Sequence, residues 1–196
     1  MPLFSGYYER SQKSEPVAEM ITGSKIVLRE KKLDDALDDY TWQSDAELAR
    51  LDAAPRFTIS FYQYLMDYTD ELRYSSPARR AFAIDTLDGR HIGNCGYYGI
   101  DEAKDDAELG IMMGDRDYWD QGYGADAVNT LVDYIFRATR LDRIYLKTLD
   151  WNTRAHKCFQ KCGFASCGRM NRDGYNFLLM EILRHQRQSP KGGEVD

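Results

Sequence analysis

The stretch Trp119-Asp120-Gln121-Gly122-Tyr123-Gly124-Ala125-Asp126-Ala127 leads into a segment whose apolar residues recur at helical spacing. A glycine-bearing turn at a helix start leaves several backbone N–H groups without intrahelical acceptors, beside the positive end of the helix dipole. Such groups can hold a diphosphate, and glycine has no side chain to keep the phosphates at a distance. One strand later a second pattern runs from Asn152-Thr153-Arg154-Ala155 through Phe159 to Gly163-Phe164. Asn152 has the residue type and the place of a helix N-cap, and Gly163 those of a helix-ending residue.

The elements that must position these two segments follow from periodicity and punctuation. Residues 25–29 have strand composition, and helices are expected over residues 33–39, 44–50 and 60–72, with Pro55 as an interruption. Phe61, Leu65, Tyr68 and Leu72 give the third of these an apolar stripe. After Ser75-Ser76-Pro77 the pattern changes to strands at 81–86, 92–100 and 108–113, whose short connections predict antiparallel neighbours. Gly93, Gly96 and Gly99 in the middle strand predict bends or a close backbone approach. The clearest element is a helix over 122–139, with Val128, Leu131, Val132, Ile135 and Phe136 on one face and Asn129, Asp133 and Arg137 on the other. A strand at 144–149, a helix at 152–162 with Ala155, Cys158, Phe159 and Cys162 inward, and a buried final strand at 177–183 complete the order. Residues 1–23 are expected to be an N-terminal arm, 24–185 one domain, and 186–196 a flexible tail.

A chain of 196 residues, 43% hydrophobic and 30% charged, suits one globular domain with a full core. The formal charge of −6 argues against general attraction to nucleic acid. The lack of a long apolar run argues against a membrane span, and the lack of a signal-like segment predicts a cytoplasmic location. Four cysteines without a CxxC pair, and three histidines, give no zinc pattern, so no metal is expected. Acidic residues gather between Asp101 and Asp120 and read as a solvated surface, the alternative being a field that attracts a cationic acceptor.

The turn and the Asn152…Gly163-Phe164 unit, in the order strand, helices, three strands, long helix, strand, helix, strand, resemble the GNAT superfamily of N-acetyltransferases. Within it, the chain is most similar to the ribosomal-protein N-terminal acetyltransferase branch, over about residues 24–185. The resemblance implies an α+β (mixed α/β) GNAT fold: a mostly antiparallel twisted sheet, flanked by helices and splayed between its fourth and fifth strands. It implies acetyl-CoA as acyl donor, with the pantetheine arm between the splayed strands and an amine as acceptor. Met112 and Met113 would then offer backbone groups to that arm, one N–H stabilising the developing oxyanion. Gln121, Gly122, Tyr123, Gly124 and Ala125 would cradle the diphosphate, while Asn152 and Phe159 would also contact the cofactor. Trp119 stands where the wider family carries Gln or Arg, and Phe159 where many relatives carry a tyrosine that protonates the leaving thiolate.

A phenyl ring donates no proton, but a thiol of pKa about 8.5 is a tolerable unassisted leaving group. The acceptor decides how much base is needed: an α-amino group of pKa about 7.7–8.0 is partly neutral already, a lysine or polyamine amine near 10.4 is not. Glu108 is the candidate base, directly or through water, its alternative being an exposed strand glutamate. Tyr97 and Tyr98 could line the acceptor groove or pack. His91 and His156 read as surface or satisfied histidines. Acceptor choice is expected to rest on Trp42, residues 60–72 and the Asn171-Arg172-Asp173-Gly174 turn. A protein or peptide N-terminus is the favoured acceptor, with polyamines, aminoglycoside-like amines and other small amines as alternatives. Gly122-x-Gly124-x-x-Ala127 also fits a loose dinucleotide fingerprint, but that motif should follow its strand directly in a repeated βαβ sheet. A coenzyme A-binding module without turnover is the remaining alternative, kept open by Phe159.

Overall fold

The computed structural model describes residues 20–74 and 76–188. Among the described residues, eight strands form one sheet in the order β1-β2-β3-β4-β5-β6-β8-β7. Their ranges are β1 Ile21–Thr22, β2 Ile26–Arg29, β3 Arg79–Thr86, β4 His91–Asp101, β5 Asp106–Met113, β6 Arg143–Leu149, β7 Ala165–Arg172 and β8 Tyr175–Leu183. Every neighbouring pair is antiparallel except β5 and β6, which run parallel. Helices α1 Ala36–Gln43, α2 Ala46–Leu51 and α3 Phe61–Arg73 lie between β2 and β3. Helices α4 Tyr123–Ala138 and α5 Thr153–Lys161 flank β6 in sequence, and α6 Arg184–Gln188 follows β8.

Local chemistry explains the boundaries. Asp45 accepts from the amides of Glu47 and Leu48 to start α2, and Ser60 accepts from Gln63 N to start α3. The predicted long helix forms with its apolar stripe inward: Ala127, Val128, Leu131 and Ile135 are fully buried, as are Phe82, Ile84, Ile92 and Ile144 in the same core. A second, smaller cluster of Ala36, Tyr64 and Tyr68 holds α1 to α3. The stripe of α3 is therefore centred on Tyr64 and Tyr68, and Leu72 faces solvent, because the helix packs on α1 rather than on the sheet.

Three further differences from the sequence reading have physical causes. Strand β7 was not foreseen: Ala-Ser-Cys-Gly-Arg-Met-Asn-Arg lacks apolar alternation because the strand sits at the sheet edge, mostly exposed. Ile21 and Thr22, placed in the arm, pair with Leu28 and Val27 as the opposite edge, with Ile21 in the core. Asp106 and Glu108, read as part of a solvated acidic surface, are both 8% exposed, and each faces a cation on β6. Of the expected tail, residues 186–188 continue α6, while residues 189–196 and residues 1–19 of the arm lie outside the described residues.

Candidate active site

The parallel pair supplies the opening. β5 meets β6 only at Asp106↔Arg143, Ala107↔Ile144 and Glu108↔Tyr145. Beyond Glu108, β5 keeps its partner β4 out to Met113, and β6 keeps its partner β8 out to Leu149, so the two strands diverge. Two adjoining cavities occupy the gap, of about 340 Å³ and about 410 Å³. They share Leu51, Asp52, Ile111, Asn152, Ala155 and Phe159 as their common wall.

The first cavity is built on the N-terminal ends of α4 and α5. Gly122 is the N-cap of α4 with φ of +87°, a conformation that costs a side-chain-bearing residue about 1–2 kcal/mol. Asp120, two residues earlier, is also left-handed at φ +57°. The first intrahelical bond into this end runs from Asp126 N to Gly122 O, at 3.0 Å. The amides of Tyr123, Gly124 and Ala125 have no acceptor among the described residues, and the cap has no side-chain hydrogen bond. These are the orphan donors that an anion would satisfy. Gly124 needs no glycine for its own backbone: its φ is not positive, and a Cβ there would sit 3.4 Å from Met113 Cγ and 3.9 Å from Cys158 Sγ. Both of those residues line the cavity, so the missing side chain leaves room inside it.

A cation that sequence reading missed stands beside the turn. Lys25 Nζ donates to Gln121 O at 2.9 Å and sits 5.2 Å from the centre of the Tyr123 ring. It is held there by Asp126, whose carboxylate accepts from the amides of Ser24, Lys25 and Ile26 at 3.1, 2.7 and 3.2 Å. The approach requires Gly23, where a Cβ would come within 2.6 Å of Asp126 Oδ2. Lys25 lies 96 residues before Gln121, so no local pattern pointed to it. On the opposite wall, α5 presents Arg154, Lys157 and Lys161 to the cavity. Their spacing of three and four residues places them on one helix face, a signal the sequence did carry.

Of the residues expected at the cofactor, Met112, Met113, Gly122, Gly124, Ala125, Asn152 and Phe159 line this cavity. Gln121 and Tyr123, also expected there, are not among its lining residues. The Gln121 side chain donates to Asp117 O, and the Tyr123 ring packs edge-on against Tyr118 at 5.0 Å. Asn152 Oδ1 accepts from Ala155 N at 3.2 Å and so caps α5. Trp119 donates its indole N–H to Met113 O at 2.7 Å, and the Arg154 guanidinium lies 3.5 Å from its ring centre. The tryptophan thus ties the turn to the end of β5 and to α5, which a Gln or Arg would do differently. It also donates to the carbonyl of Met113, one of the two residues whose backbone groups are expected at the pantetheine arm.

The second cavity is walled by Tyr98, Glu108, Lys147 and Phe177, with Arg172, Asp173 and Tyr175 from the β7–β8 hairpin. The expected hairpin turn is therefore part of the site, but Trp42 is not. Its ring is 9% exposed, 4.8 Å from the His91 ring, and occupies the space a side chain at Gly114 would need. Tyr97 is buried in the core, whereas Tyr98 donates its hydroxyl to Glu108 Oε1 at 3.0 Å. Glu108 Oε2 accepts from Lys147 Nζ at 2.6 Å. Glu108 thus lies where the acceptor is expected, but each of its oxygens already serves the cavity wall. It is not the exposed strand glutamate of the alternative reading. His156 Nε2 lies 2.9 Å from Leu149 O and is satisfied within the fold; His91 Nε2 lies 2.9 Å from Gly93 O, but its buried Nδ1 has no hydrogen-bond partner among the described residues and sits 3.3 Å from Asp38 Oδ2.

The arrangement provides a helix end with unpartnered amides beside cations, a slot between diverging strands, and a polar chamber beyond it. Comparisons with known proteins agree with that architecture. The family model described as "Acetyltransferase (GNAT) domain" matches residues 25–165. The chain is 28% identical over 151 residues to the protein named uncharacterized N-acetyltransferase p20 of Bacillus licheniformis, a match covering 76% of this chain and 84% of the relative. Among solved structures, the spermidine N-acetyltransferase of Vibrio cholerae in complex with CoA and spermine superposes with a TM-score of 0.75 at 20% identity, covering 85% of this chain and 99% of that one. A GNAT-family acetyltransferase of Bacillus anthracis gives a TM-score of 0.72 at 15% identity, with coverage of 85% and 99%. No helix among the described residues is long and apolar enough to cross a membrane. The chain belongs to the GNAT acetyltransferase family and is an N-acetyltransferase with acetyl-CoA as its acetyl donor.

Proposed function

We propose that the chain acetylates the α-amino group of a peptide or protein, as in the ribosomal-protein N-terminal acetyltransferase branch. The observation that carries this reading is the charge balance of the second cavity. Lys147 faces Glu108 at 2.6 Å and Arg172 faces Asp173 at 3.2 Å, which leaves Asp52 as the cavity's one carboxylate without an ion-pair partner among the described residues. A peptide N-terminus brings a single positive charge followed by neutral backbone, and Tyr98, Tyr175 and Phe177 offer its first side chains an aromatic wall. A polyamine would place further ammonium groups near Lys147 and Arg172, with no spare carboxylates to receive them.

The amides of Tyr123, Gly124 and Ala125, with Lys25, would hold the diphosphate of acetyl-CoA, while Met112, Met113 and Phe159 would line the path of its arm. Bound there, acetyl-CoA supplies the activated acetyl group. The catalytic unit is residues 24–185, with β1 closing its edge, and the proposed place of action is the cytoplasm.

Release of free thiol from acetyl-CoA tests the reading. The panel is short peptides with free N-termini, the same peptides N-formylated, spermidine and kanamycin. Thiol released with the free peptides and not with the blocked ones is the expected result. Turnover of spermidine or kanamycin without turnover of any free peptide overturns it.

A further inference from the structure

We propose that Asp52 is the carboxylate that receives the acceptor's ammonium group and takes its proton. The inference rests on the acceptor class proposed above and goes beyond it by naming a catalytic residue that sequence reading did not single out.

Asp52 is the C-cap residue of α2 and one of the residues common to the two cavities. It therefore stands where an amine in the second chamber would meet a thioester arriving through the first. Its carboxylate has no hydrogen-bond or ion-pair partner among the described residues, in contrast to Glu108 across the chamber. The residue is solvent-exposed at the junction of the two cavities, and the protein around that cleft pushes its carboxyl up to about 6. The titratable groups that line the two cavities with it are Tyr98 from β4, Glu108 from β5, Lys147 from β6, Arg172, Asp173 and Tyr175 from the β7–β8 hairpin, Tyr118 and Asp120 before α4, and Arg154, Lys157, Cys158 and Lys161 from α5. Tyr98 is held above its ordinary value by burial first, then by Glu108 and Asp52, so it stays a neutral phenol through the working range. Lys147 and Arg172 are matched by Glu108 and Asp173.

A carboxylate near 6 is ionised at neutral pH yet basic enough to accept a proton, which is the compromise a general base needs. One N–H bond of the ammonium breaks, an O–H bond forms on Asp52, and the nitrogen keeps the electron pair with which it bonds to the acetyl carbon. As that C–N bond forms, the C–S bond breaks and its electrons leave with sulfur. The nitrogen's second displaced proton ends on the thiolate, and Asp52 returns its own proton to water.

The test compares wild type, Asp52→Asn and Glu108→Gln in the thiol-release assay, with the free-N-terminus peptides as acceptors, from pH 5.5 to 9. In wild type the acid limb of kcat/KM should bend at about 6. In Asp52→Asn, activity should fall about 100-fold at pH 6.5, at the low end of what general-base catalysis supplies. The limb should move to about 7.7–8.0, where the α-amino group loses its proton unaided. KM for acetyl-CoA should not change, and Glu108→Gln should keep the wild-type limb. Folding of Asp52→Asn is expected because a raised folded-state value means that the charge costs stability above about 6; the variant should melt no lower than wild type at pH 7.5.

A second readout needs no acceptor: the 13C carboxyl resonance of Asp52, assigned by its absence from Asp52→Asn, should titrate near 6. A titration in the ordinary range near about 3.9 overturns the proposal, as does an Asp52→Asn enzyme with wild-type rate and an unmoved limb. Thiol release confined to spermidine or kanamycin would sink the peptide reading instead, and the carbon titration would still decide the basicity of Asp52.

Discussion

Replacing Gly124 with alanine should move stability and cofactor affinity in opposite directions. Gly124 lies inside α4, in the first turn, without a positive φ. A glycine inside a helix costs about 0.5–1 kcal/mol relative to alanine, so folding gains nothing from it. The added methyl would rest 3.4 Å from Met113 Cγ and 3.9 Å from Cys158 Sγ, which is ordinary van der Waals contact. Gly124→Ala should therefore stabilise the free protein by about 0.5 kcal/mol, roughly 1–2 °C in Tm for a domain of this size. The same methyl narrows the cavity beside the Tyr123, Gly124 and Ala125 amides. If it lifts a diphosphate off even one of them, the loss is that of a hydrogen bond to a charged group, about 1.5–3 kcal/mol. That is roughly 10- to 150-fold in Kd for coenzyme A, measured by calorimetry beside a thermal melt of the free protein. Gly124→Glu adds a carboxylate to the anion site and should remove binding while the melt stays cooperative. Unchanged coenzyme A affinity in Gly124→Ala would refute the phosphate-loop reasoning, and a fall in Tm would show that the glycine serves folding instead.

Lys25→Ala should weaken coenzyme A about tenfold at low salt and by less at 0.5 M NaCl, because the exposed cation acts through a screened charge; no salt dependence of the difference would exclude Lys25 from the diphosphate site. Trp119→Phe keeps the ring under Arg154 but removes the donor to Met113 O, and should lower stability by about 1 kcal/mol in a urea melt; no loss would make that bond immaterial. Cys158 lies in the first cavity, and its thiol is held below its ordinary value by the neighbouring Cys162 side chain first and by Lys161 and Arg154 after it. Iodoacetamide should therefore label it in the free protein, and coenzyme A should protect it; equal labelling by mass spectrometry with and without coenzyme A would place the ligand elsewhere.

What could be read in advance was what local sequence dictates. The Asn152 cap and the stripe of α4 depend on neighbours within a few residues, and each formed as its own segment required. The order and antiparallel pairing of β3, β4 and β5 followed from short connections. What escaped depends on long-range placement. Lys25 reaches the turn only because Asp126 captures the β1–β2 connection about one hundred residues away in sequence. Trp42 looked like an acceptor contact because an aromatic side chain reads alike in a groove or under a glycine, and Gly114 makes it the latter. Strand β7 carries an edge composition that resembles a loop, and Asp52 becomes notable only once two cavities are seen to meet at it. Glu108 lines the second cavity, yet nothing in its own strand announced Lys147 as its partner.

The central claim is that the first-turn amides of α4 grip the diphosphate of coenzyme A. A crystal structure of the protein with coenzyme A tests it most directly. Phosphate oxygens within about 3 Å of the Tyr123, Gly124 and Ala125 nitrogens, with the pantetheine between β5 and β6, is the predicted result. Ordered coenzyme A bound away from those amides, or lying outside the gap between the two strands, would contradict it.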